Sequence, residues 1–281
     1  MLNIIDLVTP FDFDSNISYE ELIKLLSYHI DNKVDGILIL GECSEIYSLS
    51  IEERIELVEF VIKFVDKRMK VFVGIDGSIK DVLEFNSNIC NLDFDAYVIG
   101  RNICGNESGL AKYYTYLADN IKRKIILYSN GELSYDLLQS LSYHKSIVGV
   151  LVDTKDIACI INISKLSKEN FNIYVKGDYL ILPSISLGVM GIISVIGNAY
   201  PNVITDICNS TNLGESVKIF FEYEPIIKDF ENEQSPTGIK YLMSLKGIFS
   251  DKVRLPLGVC SKTLKRKIEE DYQNLLIKYQ K

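Results

Sequence analysis

The segment Gly36-Ile37-Leu38-Ile39-Leu40 is a short run in which both faces of a β-strand would carry apolar side chains. A strand buried on both faces is typical of a parallel sheet that helices cover on each side. A longer stretch with helical spacing follows at Ser50–Lys67, and Ser50 and Glu53 stand there in the arrangement of a capping box. We therefore interpret residues 36–67 as one strand–helix unit of an α/β protein.

The same alternation of short apolar runs and helical stretches continues over the first 200 residues. Eight strands are predicted, at Asn3–Val8, Gly36–Leu40, Lys70–Gly74, Ala96–Gly100, Lys124–Tyr128, Ile147–Val152, Asn172–Lys176 and Gly191–Val195. Helices are predicted at Tyr19–Asp31, Ser50–Lys67, Ser108–Asn120, Ser134–Ser142, Asp156–Ser167 and Tyr179–Met190. Ser18 and Glu21 at the start of the first helix also have the arrangement of a capping box. Eight strands that alternate with helices favour a closed TIM (β/α)8 barrel over an open doubly wound sheet.

The alternation stops after residue 202, and the remaining chain has a mainly helical pattern. We predict a barrel over residues 1–202 and a C-terminal helical extension over residues 203–281 that packs on the barrel. No linker marks a second domain, so the two parts are expected to form a single structural unit.

Composition and charge exclude several classes of function. The 281 residues carry a net charge of −8, whereas a nucleic-acid-binding protein needs a basic surface for phosphates. No apolar run reaches the roughly 18 residues that a membrane span needs, and the N-terminus has no basic stretch typical of a signal peptide. The protein is therefore expected to be cytoplasmic, without nucleic-acid or membrane partners. The six cysteines and two histidines show no metal-ligand spacing, and no cofactor motif is present.

Several stretches, in order along nearly the whole chain, carry a resemblance to a known family. They are Leu7–Asp12, Val34–Gly41 with Glu45, Ile126–Tyr128, Ser146–Gly149, Gly177–Asp178, Gly191–Val195 and Arg254–Leu257. They resemble the dihydrodipicolinate synthase and N-acetylneuraminate lyase family of pyruvate-dependent class I aldolases. The resemblance implies a TIM barrel that assembles as a homodimer or homotetramer.

The family's chemistry, as the resemblance implies it, depends on a lysine and a tyrosine. The lysine lies on strand six and forms a Schiff base with the ketone of pyruvate, and the tyrosine lies on strand five and transfers protons. Tyr128 matches the tyrosine, but Leu151 occupies the position of the lysine. Because only an amine condenses with a ketone in this way, Leu151 removes the family's usual covalent route.

Other positions depart from the family's pattern as well. Two loop threonines are replaced by Glu42 and Cys43, and a loop glycine is replaced by Ser44. The strand-four segment that holds the family's second tyrosine reads Arg101-Asn102-Ile103-Cys104, and the carboxylate-binding arginine is absent after strand five. Ordinary dihydrodipicolinate synthase activity is therefore not expected.

Candidate site residues lie where the predicted strands end, because TIM-barrel active sites form at that face. Lys176 ends strand seven and could supply the missing amine, with Lys155 as a weaker alternative. Arg101 could bind a carboxylate or pair with Glu42 or Glu45. Asp153 shares the inward face with Leu151 because side chains alternate along a strand.

The loop after strand two remains ambiguous. Glu42 could act with Glu45 as an acid–base pair, or Glu45 could cap the next segment. Cys43 could be a nucleophile, but no activating base is evident and neighbouring acids raise a thiol pKa. His29 and His144 are interpreted as structural.

Two functions stay open. The first is a divergent lyase or aldolase that acts on a small 2-oxo acid or related carboxylate, with Tyr128 as proton shuttle and Lys176 as amine. The second is a catalytically inactive homologue that binds a metabolite or a partner protein.

Overall fold

Eight parallel strands form a closed barrel in chain order in the computed structural model, which describes residues 1–100, 103–230 and 236–279. The strands are β1 (Leu2–Asp6), β2 (Gly36–Ile39), β3 (Lys70–Ile75), β4 (Ala96–Ile99), β5 (Ile125–Ser129), β6 (Ile147–Val152), β7 (Asn172–Lys176) and β8 (Gly191–Ser194). Pairing of β1 with β8, in which Ile4 lies opposite Ile193, closes the barrel. The predicted α/β class and TIM-barrel architecture are confirmed.

Helices alternate with the strands and then form the C-terminal part. They are α1 (Tyr19–Asp31), α2 (Ile51–Val65), α3 (Ile79–Ile89), α4 (Glu107–Asn120), α5 (Tyr135–Leu141), α6 (Ile157–Ser164), α7 (Ile181–Leu187), α8 (Pro201–Asn209), α9 (Leu213–Asp229), α10 (Thr237–Leu245) and α11 (Lys262–Tyr279). Helix α3 was not among the predicted helices. Ser78 and Asp81 begin it with a capping box, but the run Asn86-Ser87-Asn88 near its end has weak helical propensity.

The two predicted capping boxes have different outcomes. At α2 the Ser50 hydroxyl accepts from the Glu53 backbone N–H and the Glu53 carboxylate accepts from that of Ser50, so the box is confirmed. At α1 only one of the two hydrogen bonds forms, in which the Ser18 hydroxyl accepts from the Glu21 backbone N–H. The Glu21 carboxylate instead accepts from the backbone N–H of Ser250, 3.4 Å away, so the predicted box at Ser18 is wrong.

The first strand is shorter than predicted. β1 ends at Asp6, and the backbone N–H of Val8 donates to the side-chain oxygen of Asn198 (3.3 Å) rather than to a neighbouring strand. This early end leaves Asp6 at the carboxyl edge of the barrel, where a site is expected to form.

Buried apolar side chains form two layers. The larger one lies between the strands and the surrounding helices. The smaller one fills the barrel interior and consists of Ile4, Leu38, Phe72, Ala96, Val98, Ile126, Tyr128, Leu151, Tyr174 and Ile193. Leu151, which is only 1% exposed, is therefore part of a packed interior.

The C-terminal helices contact the barrel directly. The Asn3 side-chain amide in β1 donates to the Pro201 carbonyl (3.2 Å) and the Thr205 hydroxyl (3.0 Å) of α8. The predicted boundary between residues 202 and 203 falls inside α8, although the helical character of the extension agrees with the expectation. The division into two parts stays a prediction.

No helix within residues 1–100, 103–230 and 236–279 combines the length and apolarity that crossing a membrane requires. The cytoplasmic location stays a prediction.

Candidate active site

The carboxyl ends of the strands bring a buried lysine into the barrel mouth. Lys176 is the last residue of β7, and alternation from Tyr174 turns its side chain toward the interior. Cα pairing places Tyr128, Leu151 and Tyr174 side by side on β5, β6 and β7. Lys176 therefore lies one inward-facing position closer to the mouth than Leu151, on the next strand.

Three carboxylates from separate segments surround the Lys176 amine. Its Nζ forms an ion pair with the Glu42 carboxylate and lies 3.4 Å from Oδ2 of Asp6 and 3.6 Å from Oδ2 of Asp153. Asp6 is fully buried, whereas the Glu42 side chain is 49% exposed. The cluster therefore has a buried side and a side open to solvent.

The carboxylates determine the protonation of the lysine. Burial by itself lowers the pKa of the Lys176 amine, but the negative charges of Asp6, Asp153 and Glu42 outweigh burial and hold the pKa well above its ordinary value. In the absence of a ligand, Lys176 is therefore an ammonium ion at neutral pH.

Tyr128 is connected to the lysine through Asp153. The Tyr128 hydroxyl donates to Oδ2 of Asp153, the same oxygen that faces Nζ of Lys176. This confirms the inward orientation predicted for Asp153. The three groups form a continuous path along which a proton can pass between the tyrosine and the amine.

Asp6 was missed by the sequence analysis. Asp6 is an acidic residue at the end of an apolar strand, two residues after Ile4, so side-chain alternation turns it toward the barrel interior like Ile4. Gly41 makes room for it, because a Cβ at Gly41 would lie 2.1 Å from Oδ1 of Asp6. An acidic residue at a strand end, opposite a loop glycine, is therefore the pattern that would have identified it.

Cys43 and Ser44 are buried within the loop after β2. The backbone N–H of Cys43 donates to Oδ1 of Asp6 (3.4 Å). The Ser44 hydroxyl donates to the Leu7 carbonyl (2.7 Å), and the Ser44 carbonyl accepts from the Thr9 hydroxyl (2.9 Å). These bonds hold the loop in place, and substrate binding by Cys43 and Ser44 stays a prediction.

Glu45 points away from the mouth, which overturns both interpretations of this residue. Its carboxylate accepts from the fully buried Lys240 amine of α10 and from the Arg254 backbone N–H (2.8 Å). Its side chain caps no helix, and it forms no acid–base pair with Glu42. Burial lowers the pKa of the Lys240 amine to about 8, although Glu45 opposes the shift.

The remaining candidates have varied positions. Arg101 lies outside the described residues, so its role as a carboxylate anchor stays a prediction. Lys155 is exposed. Asp178 is buried and accepts from the Ser194 hydroxyl and from the backbone N–H groups of Val195 and Ile196, so it fixes the β7–β8 edge.

The two histidines lie away from the mouth. His29 is buried in α1, and burial lowers the pKa of its imidazole to about 3. His144 lies 3.1 Å from Asp119. Across the part of the chain that the structure describes, no group of three histidine, cysteine or acidic side chains is arranged to hold a metal ion.

A family model described as the Dihydrodipicolinate synthetase family matches residues 3–275. The chain belongs to this family. The 4-hydroxy-tetrahydrodipicolinate synthase of Brachyspira hyodysenteriae is 30% identical over 285 residues, which cover 97% of this chain and 95% of that protein. The family's aldolase-type fold is thus the fold of this chain.

Solved structures agree with this assignment. The crystal structure of dihydrodipicolinate synthase from Aquifex aeolicus has a TM-score of 0.90 at 26% identity and covers 97% of both chains. The chloride-inhibited dihydrodipicolinate synthase from Acinetobacter baumannii, complexed with pyruvate, has a TM-score of 0.92 at 22% identity. It covers 97% of this chain and 98% of that one, and at this identity it supports the fold alone.

Proposed function

We propose that this family member is a divergent carbon–carbon lyase that acts on a small 2-oxo acid or related carboxylate through the amine of Lys176. The observation that carries the proposal is the position of that amine. It lies inside the barrel mouth, one inward position beyond Leu151, and beside the Tyr128–Asp153 hydrogen bond. The nucleophile would thus have moved from strand six to strand seven.

The chemistry requires the amine to lose its proton first. A neighbouring carboxylate accepts that proton, and Glu42 is placed to pass it to solvent because its side chain is half exposed. The amine then attacks the ketone carbon, and loss of water leaves an iminium ion. A carboxylate of the mouth takes the proton of a hydroxyl group on the departing carbon, which leaves as a carbonyl compound, while the iminium accepts the electron pair of the breaking carbon–carbon bond and becomes an enamine. Tyr128 returns a proton to the enamine carbon, and water then hydrolyses the iminium to release the 2-oxo acid and the free amine.

The substrate's carboxylate needs a separate partner, because Asp6, Asp153 and Glu42 would repel it. Arg101 is the predicted anchor, since a guanidinium binds carboxylates through paired hydrogen bonds. The substrate class rests on this prediction and on the family resemblance.

A second candidate is a catalytically inactive protein that binds a metabolite or a partner protein. The raised pKa of Lys176 favours it, because an ammonium ion held by three carboxylates is a poor nucleophile. Leu151 and the altered loop at Glu42 and Cys43 also fit a site that has lost the family's reaction.

Trapping distinguishes the two candidates. The protein is incubated with pyruvate and with larger 2-oxo acids between pH 7 and 9.5, reduced with borohydride, and digested for mass spectrometry. We expect a reduced adduct on Lys176 that is absent from Lys176→Met and unchanged in the matched control Lys155→Met.

An absence of adduct with every oxo acid across this pH range would refute the amine mechanism. A rise in melting temperature with one of the same compounds, without an adduct, would then support the binding protein.

A further inference from the structure

A cavity lies at the end of the barrel opposite to Lys176, where the strands begin. Its volume is about 940 Å³, which is within the size range of small-molecule sites. Its walls come from the starts of β1 and of β3 to β7 and from the residues that precede β4 to β8. In TIM barrels this face usually serves stability, so a cavity of this size is unexpected here.

The floor of the cavity is apolar and contains one polar group. Phe72, Ile126 and Tyr174 of the barrel interior reach it, and the Phe72 and Tyr174 rings meet edge to face with their centres 6.0 Å apart. Tyr174 is 93% buried, since only 7% of it is exposed. Within the described residues, its hydroxyl forms no hydrogen bond, and it lines the cavity. Burial, with a smaller effect from Asp95, raises the pKa of Tyr174 to about 12, so the hydroxyl remains a donor at neutral pH.

The rim of the cavity is basic, although the chain as a whole carries a net charge of −8. Its lysines are Lys70, Lys124, Lys145 and Lys168. Two carboxylates also line it, those of Asp95 and the exposed Glu169.

Only some of these lysines are already engaged. Lys70 pairs with Asp95 (3.4 Å), and Lys168 donates to the Ser142 hydroxyl (2.9 Å). Lys124 and Lys145 form no ion pair with any described carboxylate. The rim therefore has two cations available for a ligand.

We propose that this cavity binds a small organic anion whose aromatic body lies on the Phe72–Tyr174 floor and whose phosphate or carboxylate groups meet Lys124 and Lys145. The Tyr174 hydroxyl donates to a polar atom of the same ligand. An anionic group matches the rim, and an aromatic ring matches edge-to-face packing on the floor. The site is separate from the Lys176 mouth, and the inference does not depend on the function proposed there.

Titration calorimetry with phenyl phosphate tests the proposal. We expect binding to the wild-type chain that weakens as salt is added, because the contacting charges are exposed. Inorganic phosphate and benzyl alcohol, which each lack one half of the ligand, should bind more weakly.

Variants locate the binding. Lys124→Ala/Lys145→Ala should weaken phenyl phosphate binding by about tenfold or more, which is the combined effect of two exposed ion pairs. Tyr174→Phe, which keeps the ring, should weaken it by about tenfold because it removes one hydrogen bond to the ligand. The matched control Lys80→Ala/Lys112→Ala removes two exposed helix lysines outside the cavity and should leave the affinity unchanged.

Melting temperatures equal to wild type establish that the variants are folded. Three results would overturn the proposal: no binding of phenyl phosphate to the wild type, equal weakening in both double variants, or inorganic phosphate binding as tightly as phenyl phosphate.

Discussion

At the scale of single residues, the barrel interior combines a buried leucine on strand six with a buried lysine at the end of strand seven. The leucine, Leu151, packs among the apolar and aromatic side chains of the barrel interior, whereas the lysine, Lys176, lies among three acids. These carboxylates stabilise the charge of Lys176 but reduce its nucleophilicity.

The pKa of Lys176 should depend on Asp6. In wild type the raised pKa keeps the amine protonated at neutral pH, so adduct formation should become about tenfold faster for each pH unit between 7 and 9. Asp6→Asn removes the buried negative charge, lowers the pKa of Lys176, and should shift this profile to lower pH. Titration of the Lys176 ¹³Cε resonance by NMR measures the pKa directly, with or without an oxo acid.

Asp14→Asn, which changes an exposed loop carboxylate, is the control and should leave the titration unchanged. A Lys176 pKa that is the same in Asp6→Asn and wild type would show that Asp6 does not govern the amine.

Placing an amine on strand six should be costly. Leu151→Lys places an ammonium ion among buried apolar side chains, and we expect the free energy of unfolding to fall by about 3–5 kcal/mol. Leu151→Met keeps the volume and apolarity and should cost less than about 1.5 kcal/mol. Urea denaturation of both variants measures the difference, and equal stability of the two would mean that the interior accommodates the charge.

At the scale of elements, a buried ion pair joins the loop after β2 to α10. Lys240 and Glu45 are both fully or almost fully buried, and the amine also donates to the Lys252 carbonyl (2.9 Å). A buried pair of this kind costs desolvation energy, so its presence is weak evidence of added stability. Its effect is to determine which way the loop turns, and it thereby keeps Glu45 out of the mouth.

Removing one partner of this pair should lower the free energy of unfolding more than replacing both partners. Lys240→Met leaves the Glu45 carboxylate buried without its cation, and we expect a loss of about 3–5 kcal/mol in the free energy of unfolding. Lys240→Met combined with Glu45→Gln should recover part of that loss. A double-mutant cycle in urea measures the coupling, and additive effects of the two changes would contradict the assignment.

At the scale of the whole molecule, Arg254 joins the C-terminal segment to the barrel. Its guanidinium forms paired hydrogen bonds with Glu53 of α2 (2.6 and 2.8 Å) and donates to the carbonyls of Ser15 (2.7 Å) and Ser48 (3.0 Å). These contacts connect residues 201 to 239 positions apart, so we expect the barrel and the extension to unfold together.

The stabilisation from Glu53 should depend on pH. The hydrogen bonds from Arg254 hold the pKa of Glu53 below its usual value of 4.5. A carboxyl group with a lowered pKa stabilises the folded state above pH 4.5, and this contribution is lost as the pH falls through the folded-state pKa. Glu53→Gln should therefore cost about 1–3 kcal/mol at pH 7 and progressively less below pH 4.5.

Glutamine retains the capping box, so the change isolates the pairing with Arg254. Glu56→Gln, on an exposed position of the same helix, is the control and should show no such pH dependence. Denaturation at pH 7 and pH 3.5 makes the comparison, and a constant cost for Glu53→Gln would contradict the argument.

The assembly state is also a property of the whole molecule. Family resemblance predicts a homodimer or homotetramer, and sedimentation velocity measures it. A sedimenting mass of about one chain would contradict this prediction.

The sequence by itself determined the barrel, the order of its eight strands and the approximate positions of their ends, which place Leu151 in the interior and Lys176 at the mouth. These follow from local patterns, because the alternation of apolar residues and the caps of helices depend on near neighbours along the chain. Helix α3 was not predicted, because its local pattern is a weak indication of a helix.

Only the tertiary structure decided which groups meet. The charged cluster at the mouth is formed by residues from four segments, which are Asp6, Glu42, Asp153 and Lys176. Glu45 instead pairs with Lys240, a lysine 195 positions away along the chain. The interaction energy of two buried charges depends on the distance between them in the folded protein. The local sequence pattern does not encode that distance, because the charges lie far apart along the chain. The protonation of Lys176, and with it the chemistry open to this barrel, was therefore decided by packing.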